Sequence, residues 1–133
     1  VWADCFTDDA HYIEHAYGEL HGNAAIRQWI CDVMAPFPTM TFPIDWMVVD
    51  EDNGAIVWGV RNSFPEPYQA NGEPYSFPNW SRIVYAGRFD GVMKWSSEED
   101  VYNPARDAGR VFKAWVEAGG RTRTGEIVPI VHR

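Results

Sequence analysis

Ala25, Ile26, Trp29, Ile30, Val33 and Met34 recur at the three- and four-residue spacing that gathers side chains on one side of an α-helix. The stripe opens after Gly22-Asn23, which can cap it, and ends before Pro36, so the pattern predicts a helix over residues 23–34. Elsewhere the period shortens to two. Phe42, Ile44, Trp46 and Val48 alternate with Thr41, Pro43, Asp45 and Met47, as in a half-buried strand. The turn that follows holds Asn53-Gly54, a pair that favours a hairpin, so residues 55–64 should return antiparallel. A further hairpin is expected to join residues 75–86 to residues 92–102 through Gly87-Arg88-Phe89-Asp90-Gly91. Near the start, residues 2–6 read as the end of a helix that Thr7-Asp8-Asp9 breaks, and the strand formers of residues 11–17 stop at Gly18. Asn103-Pro104 reads as a cap followed by a first-turn proline, and Val111, Phe112, Trp115 and Val116 form a stripe closed by Gly119-Gly120. Residues 121–133 carry no firm pattern.

This order of elements predicts an α+β fold with helices on one side of a curved, mostly antiparallel sheet. Aromatic residues on both sheet faces (Trp46, Trp58, Trp80, Trp95) suggest a sheet wrapped around a helix, with an apolar cavity at its open end. The length of 133 residues fits one domain. A hydrophobic fraction of 46%, with 15% aromatics, excludes global disorder. Nineteen acids against 11 bases leave a net charge of −8, which argues against a nucleic-acid partner. The apolar runs are far shorter than the roughly 20 residues of a membrane-spanning helix. Cys5 and Cys31 belong to no CxxC or Cys/His pattern, and read as idle thiols of a cytoplasmic protein. The chain opens at Val1-Trp2 without a Met, so an N-terminal piece is expected to be missing.

The segment FTDDAHYIEHAYGELHGNAAIRQWI, residues 6–30, resembles the start of a SnoaL-like domain of the nuclear transport factor 2 superfamily: an F-x-x-D-A entry, a strand, a glycine-bearing turn, then G-x-x-A-I-R opening a helix. The stretches YAG at residues 85–87 and EEDVYNP at residues 98–104 resemble a later strand of the same family and its exit. The resemblance implies a cone-shaped, strongly curved sheet wrapped around helices. It also implies a helix or two ahead of Phe6, and hence a pocket wall incomplete in this chain. Its relatives include ketosteroid isomerase, limonene epoxide hydrolase and polyketide cyclases, alongside non-enzymatic binding proteins. By the match to ketosteroid isomerase, His15 stands at the catalytic base and Ser81 near the oxyanion-hole aspartate. By the match to limonene epoxide hydrolase, the arginine-x-aspartate pair falls on Arg61 and Ser63, and the second aspartate on Asp100.

The residues themselves add candidates. His15 can exchange a proton near neutrality, or can simply be satisfied by a neighbour such as Glu14. Asn62 shares the parity of Ile56, Trp58, Val60 and Phe64, so a polar amide stands on an apolar face and needs a partner in protein, water or ligand. In Glu98-Glu99-Asp100 the parity of Trp95 favours Glu99 as the inward acid, whereas the family match favours Asp100; a bulge would reconcile them. Arg61 could hold an inward carboxylate or lie on the outer surface. Tyr12, Trp58, Asn79 and Trp95 are further candidates for the cavity wall. His11 and His15, on one strand rising about 3.3 Å per residue, stand roughly 13 Å apart, so no metal centre is expected from His11, His15, His21, Glu14 and Glu19. The expectation is a cofactor-free enzyme acting by acid–base chemistry on a small apolar, oxygen-bearing molecule, with His15, Glu99 and Asp100 as catalytic groups. A non-catalytic hydrophobic-ligand carrier or a dimeric interaction module of the same shape is the alternative. A homodimer through the outer sheet face fits either, and neither nucleic acid nor membrane is expected as a partner.

Overall fold

The computed structural model describes residues 2–89, 92–123 and 126–131. A 3₁₀ turn (Trp2–Cys5) leads into β1 (Phe6–Glu14), β2 (Gly18–His21), helix α1 (Asn23–Met34), then β3 (Ile44–Asp50), β4 (Ala55–Ser63), β5 (Ser76–Phe89) and β6 (Val92–Val101). A π-helical turn (Pro104–Gly109) continues into α2 (Arg110–Glu117). The six strands form one curled, open sheet in the order β2-β1-β6-β5-β4-β3. All neighbours are antiparallel except β1 and β6, which run parallel and make the sheet mixed.

Several local choices differ from the sequence pattern. Thr7-Asp8-Asp9 does not break the chain: β1 runs through it from Phe6, with a register irregularity against β6 between Phe6 and His11. Residues 18–21, which carry no strand signal of their own, pair back onto β1 as a short edge strand once Gly18 takes a positive φ of 107°. In α1, Gly22 is the N-cap and makes no side-chain cap bond; Asn23 instead donates to the carbonyls of Ala3 and Phe6, tying the helix start to the opening turn. The Asn103-Pro104 start is realised with Asn103 accepting from the Arg106 N–H at 2.7 Å. The first turn it opens is π-helical, not α. The turn between β5 and β6 includes Asp90 and Gly91, which lie outside the described residues.

Two buried clusters hold the molecule. Phe6, Ala10, Tyr12 and Ile26 pack α1 against β1, with Trp2, Leu20, Trp29 and Trp95 around them. At the other end Phe64, Phe77 and Trp115 anchor α2, and the Trp115 indole N–H donates to the Pro65 carbonyl at 2.9 Å. Gly120 lies against the Trp115 ring so closely that a Cβ there would come within 2.2 Å of it. The aromatic pairs divide between faces: Trp58 and Trp95 meet inside at 5.7 Å, and Trp46 and Trp80 meet outside at 5.9 Å. The alternation expected from Phe42 to Val48 is broken, because β3 shifts register against β4 between Ile44 and Trp46. Ile44 therefore faces inward while Trp46 lies over Gly59 on the outer face. Both cysteines are free thiols, Cys31 exposed and Cys5 partly so. Among the described residues no helix is long and apolar enough to cross a membrane.

Candidate active site

Between the concave sheet face and α1 lies a cavity of about 920 Å³, within the usual range of small-molecule sites. Its walls are mainly apolar and aromatic, and α1 contributes Trp29, Ile30, Val33 and Met34, which is the stripe legible in the sequence. Ile127, Val128, Pro129 and Ile130 close it from the C-terminal tail. A second depression of about 630 Å³, between the loops that follow α1 and β4 and the end of α2, is rich in prolines and holds no buried carboxylate.

Sheet register decides which polar groups enter the cavity. Glu14 on β1 pairs with Asp100 on β6, Asp100 with Ser81 on β5, and Ser81 with Trp58 on β4, so these four side chains form one row across the concave face. The adjacent row begins Tyr12, Glu98, Ile83. Asp100 accepts two hydroxyl hydrogen bonds: Tyr12 donates to Oδ2 at 2.5 Å and Ser81 to Oδ1 at 2.5 Å. Hydroxyl donors on both oxygens favour the carboxylate form. Burial pushes the Asp100 pKa upward, while these bonds and Asn79 oppose the shift. Glu98, 3% exposed, is pushed well above the ordinary glutamate range, first by burial and then by the Asp100 charge, with Ser81 opposing the rise. Its Oε2 has no hydrogen-bond partner. Burial therefore raises both acids, Glu98 the more strongly, while the hydroxyl donors on Asp100 work against its rise. Tyr12 is raised by the same burial and by both acids, so it stays a phenol.

Glu14 is buried too, but it is consumed locally. It accepts the backbone N–H groups of Ala16 at 2.7 Å and Tyr17 at 2.9 Å, shaping the turn into β2, and Tyr102 also bonds to it. Burial raises its pKa and these bonds counteract the rise. Asn62 Oδ1, Asn79 Oδ1 and Trp29 Nε1, on cavity-lining side chains, are buried without a partner, as is Glu98 Oε2. Such atoms are costly unless something in the cavity bonds to them.

Of the residues singled out from sequence, Tyr12, Trp58, Asn62, Asn79, Trp95 and Asp100 line this cavity. His15, Glu99 and Arg61 do not. The expected meeting of an imidazole from the opening strand with an acid from the closing one takes place on the outside: His15 Nε2 lies 2.8 Å from Glu99 Oε1, with half of the imidazole in solvent. Arg61 faces outward as well and holds Asp45 at 3.0 Å. The cause in β6 is one extra residue. Tyr85 pairs with Trp95 and Val84 with Ser97, so Ser96 is bulged out, its hydroxyl donating to the Val84 carbonyl. Trp95 faces inward before the bulge, and after it parity reverses: Glu98 and Asp100 enter the cavity and Glu99 leaves it. Glu14 and Tyr102 were missed as cavity groups, Ser81 entered only through the match to ketosteroid isomerase, and parity set Glu98 on the outer face; for Glu14 the signal was available on β1, where Ala10, Tyr12, Glu14 and Ala16 share one parity and His15 has the other.

The SnoaL-like domain model matches residues 1–93. The chain belongs to the SnoaL-like family. That family shares the nuclear transport factor 2-like fold and includes cofactor-independent isomerases and cyclases. Three similar solved structures show the fold. A hypothetical protein with a ketosteroid isomerase-like fold from Catenulispora acidiphila, in complex with trimethylamine, has a TM-score of 0.59 at 17% identity, covering 76% of this chain and 72% of that one. A putative SnoaL-like polyketide cyclase from a Jannaschia species has a TM-score of 0.58 at 13% identity, covering 90% and 78%. The protein Aln2 from a Streptomyces species has a TM-score of 0.59 at 19% identity, covering 85% and 78%. Among curated proteins, none matches this sequence.

Proposed function

We propose that this SnoaL-like protein is a cofactor-independent enzyme of the isomerase, cyclase, dehydratase or epoxide hydrolase type, moving protons on a small apolar, oxygen-bearing molecule held in the cavity. The observation that carries this reading is the pairing of Asp100, held by two hydroxyl groups, with the buried Glu98, whose Oε2 has no partner, inside an otherwise apolar chamber. Asp100 takes the role of base, with Tyr12 and Ser81 keeping it ionised and oriented. Glu98 delivers a proton to a substrate oxygen. On one strand face the two stand about 7 Å apart along the backbone, a span that lets them act on different atoms of one bound molecule. Asn62 and Asn79 offer amide groups to anchor oxygen substituents, while Trp58 and Trp95 stack on the carbon skeleton. The apolar walls raise the proton affinity of both carboxyl groups, which strengthens Asp100 as a base and holds the proton on Glu98 until a substrate oxygen accepts it. His15 and Glu99 have no part in this reading.

A carrier that binds without chemistry uses the same chamber, and the partnerless amides alone would suit it. The two are separated by incubating the protein with enolisable cyclic ketones in D₂O and following both binding, by tryptophan fluorescence, and deuterium uptake, by NMR. The enzyme reading expects exchange at the carbon next to the carbonyl, reduced by about 10²-fold or more in Asp100→Asn and substantially in Tyr12→Phe. Binding with no exchange selects the carrier, and exchange that Asp100→Asn leaves intact removes Asp100 as the base.

The protein also pairs with a second copy in this proposal, through the outer sheet face. Dimers are frequent in the family, and Trp46, Val48, Trp80 and Val101 expose an apolar patch there. Two free thiols suit the reducing cytoplasm as its compartment.

A further inference from the structure

On the opposite flank from the cavity, the hairpin of β1 and β2 brings together three side chains that spacing along one strand would never unite. His11 pairs directly with His21 across the two strands. Their imidazoles stack with centroids 4.5 Å apart and planes within 8°. Glu19, two residues before His21 on the same strand face, turns its Oε2 between them, 2.8 Å from His11 Nε2 and 3.9 Å from His21 Nε2. One ligand atom from each of the three lies within 4.8 Å of the others. We propose that His11, Glu19 and His21 form a binding site for a divalent transition-metal ion of the zinc class.

The chemistry of the donor set fits. Two neutral imidazole nitrogens and one carboxylate oxygen are the borderline ligands that Zn²⁺ and its neighbours prefer over Mg²⁺ or Ca²⁺. Ligands about 2.0–2.1 Å from a tetrahedral ion stand roughly 3.3 Å from one another. The two measured separations, 2.8 and 3.9 Å, bracket that value. All three groups reach solvent, so side-chain rotation alone closes the difference and leaves a fourth position for water. The backbone is already set, because antiparallel pairing at His11–His21 and Ile13–Glu19 fixes the register. A net charge of −8 concentrates cations near the surface.

The position suggests what the ion would do. β2 is four residues long and has β1 as its one sheet neighbour. It leads through Gly22 into α1, the helix that walls the cavity. An ion bridging His11 and His21 pins this edge strand, and with it the start of the helix.

The test uses the untagged full chain, stripped with chelator and titrated with Zn²⁺ alone by calorimetry and by thermal melting. One ion per chain is expected, in the micromolar range or tighter, with the melting midpoint raised by a few degrees. His11→Asn and His21→Asn should each weaken binding by about tenfold or more and abolish the rise in midpoint, and Glu19→Gln should weaken it several-fold. His15→Asn should change neither quantity. The His21 side chain is three-quarters exposed, so its variant should fold, as circular dichroism would verify. Absence of binding at about 100 μM Zn²⁺, binding retained in both histidine variants, or binding lost in His15→Asn would overturn the site.

Discussion

With its carboxyl buried beside Asp100, Glu98 keeps its proton at pH values where an exposed glutamate has released it. The unfolded chain ionises this residue near the ordinary value of 4.5, whereas the native state binds the proton longer. Above that pH the native state therefore holds more protons, and stability falls as pH rises, with a limiting slope of about 1.4 kcal/mol per pH unit for one group. The decline ends once pH passes the raised native value. Glu98→Gln should flatten the fall between about pH 5 and 8 in urea unfolding, with stability at neutral pH equal to or above that of the natural chain. An unchanged slope would mean that Glu98 is ionised in the native state, and its role as proton donor would be lost. Single residues were unevenly legible. Asn62 could be placed by parity with Trp58 and Val60, because β4 runs without interruption through that stretch. Asp100 came from the family resemblance against local parity, and Glu98 was hidden by the same one-residue irregularity.

At the scale of elements, α1 and the hairpin of β3 and β4 followed from periodicity and from Asn53-Gly54, since each depends on near neighbours. β2 did not, because four residues reading Gly-Glu-Leu-His become a strand only when β1 offers them an edge. The same gap concealed the closeness of His11 and His21. Two glycines report how tightly elements meet. A Cβ on Gly59 would fall 2.3 Å from the Trp46 indole, and one on Gly120 would fall 2.2 Å from the Trp115 ring. Trp46 is 41% exposed and can swing outward, while Trp115 is 1% exposed and enclosed by Phe64 and Phe112. Gly59→Ala should therefore cost about 1–2 kcal/mol and Gly120→Ala about 3 kcal/mol or more, measured by thermal or urea melts. The reverse order would show that the α2 end yields more readily than its packing implies.

For the whole molecule, the sheet has a concave face that walls the cavity with Trp58 and Trp95 and an outer face that exposes Trp46 and Trp80, the latter proposed as the dimer contact. Light scattering should report twice 15.2 kDa, and Trp80→Glu, which plants a charge in the outer patch beside Trp46, should return the mass to that of one chain. A dimer indifferent to Trp80→Glu would place the contact on another face. The α+β class and the curled sheet were readable from the order of elements, whereas the inward and outward sides of β6 hinged on the bulge at Ser96. That bulge makes strand length a chemical variable. Removing one residue between Trp95 and Glu98 would turn Glu98 and Asp100, the proposed proton donor and base, to the solvent and rotate Glu99 into their place, leaving both acids in the sequence and neither in the chamber. In a lineage of such cones, a gain or loss of a single codon could thus retire or found an activity more abruptly than any substitution.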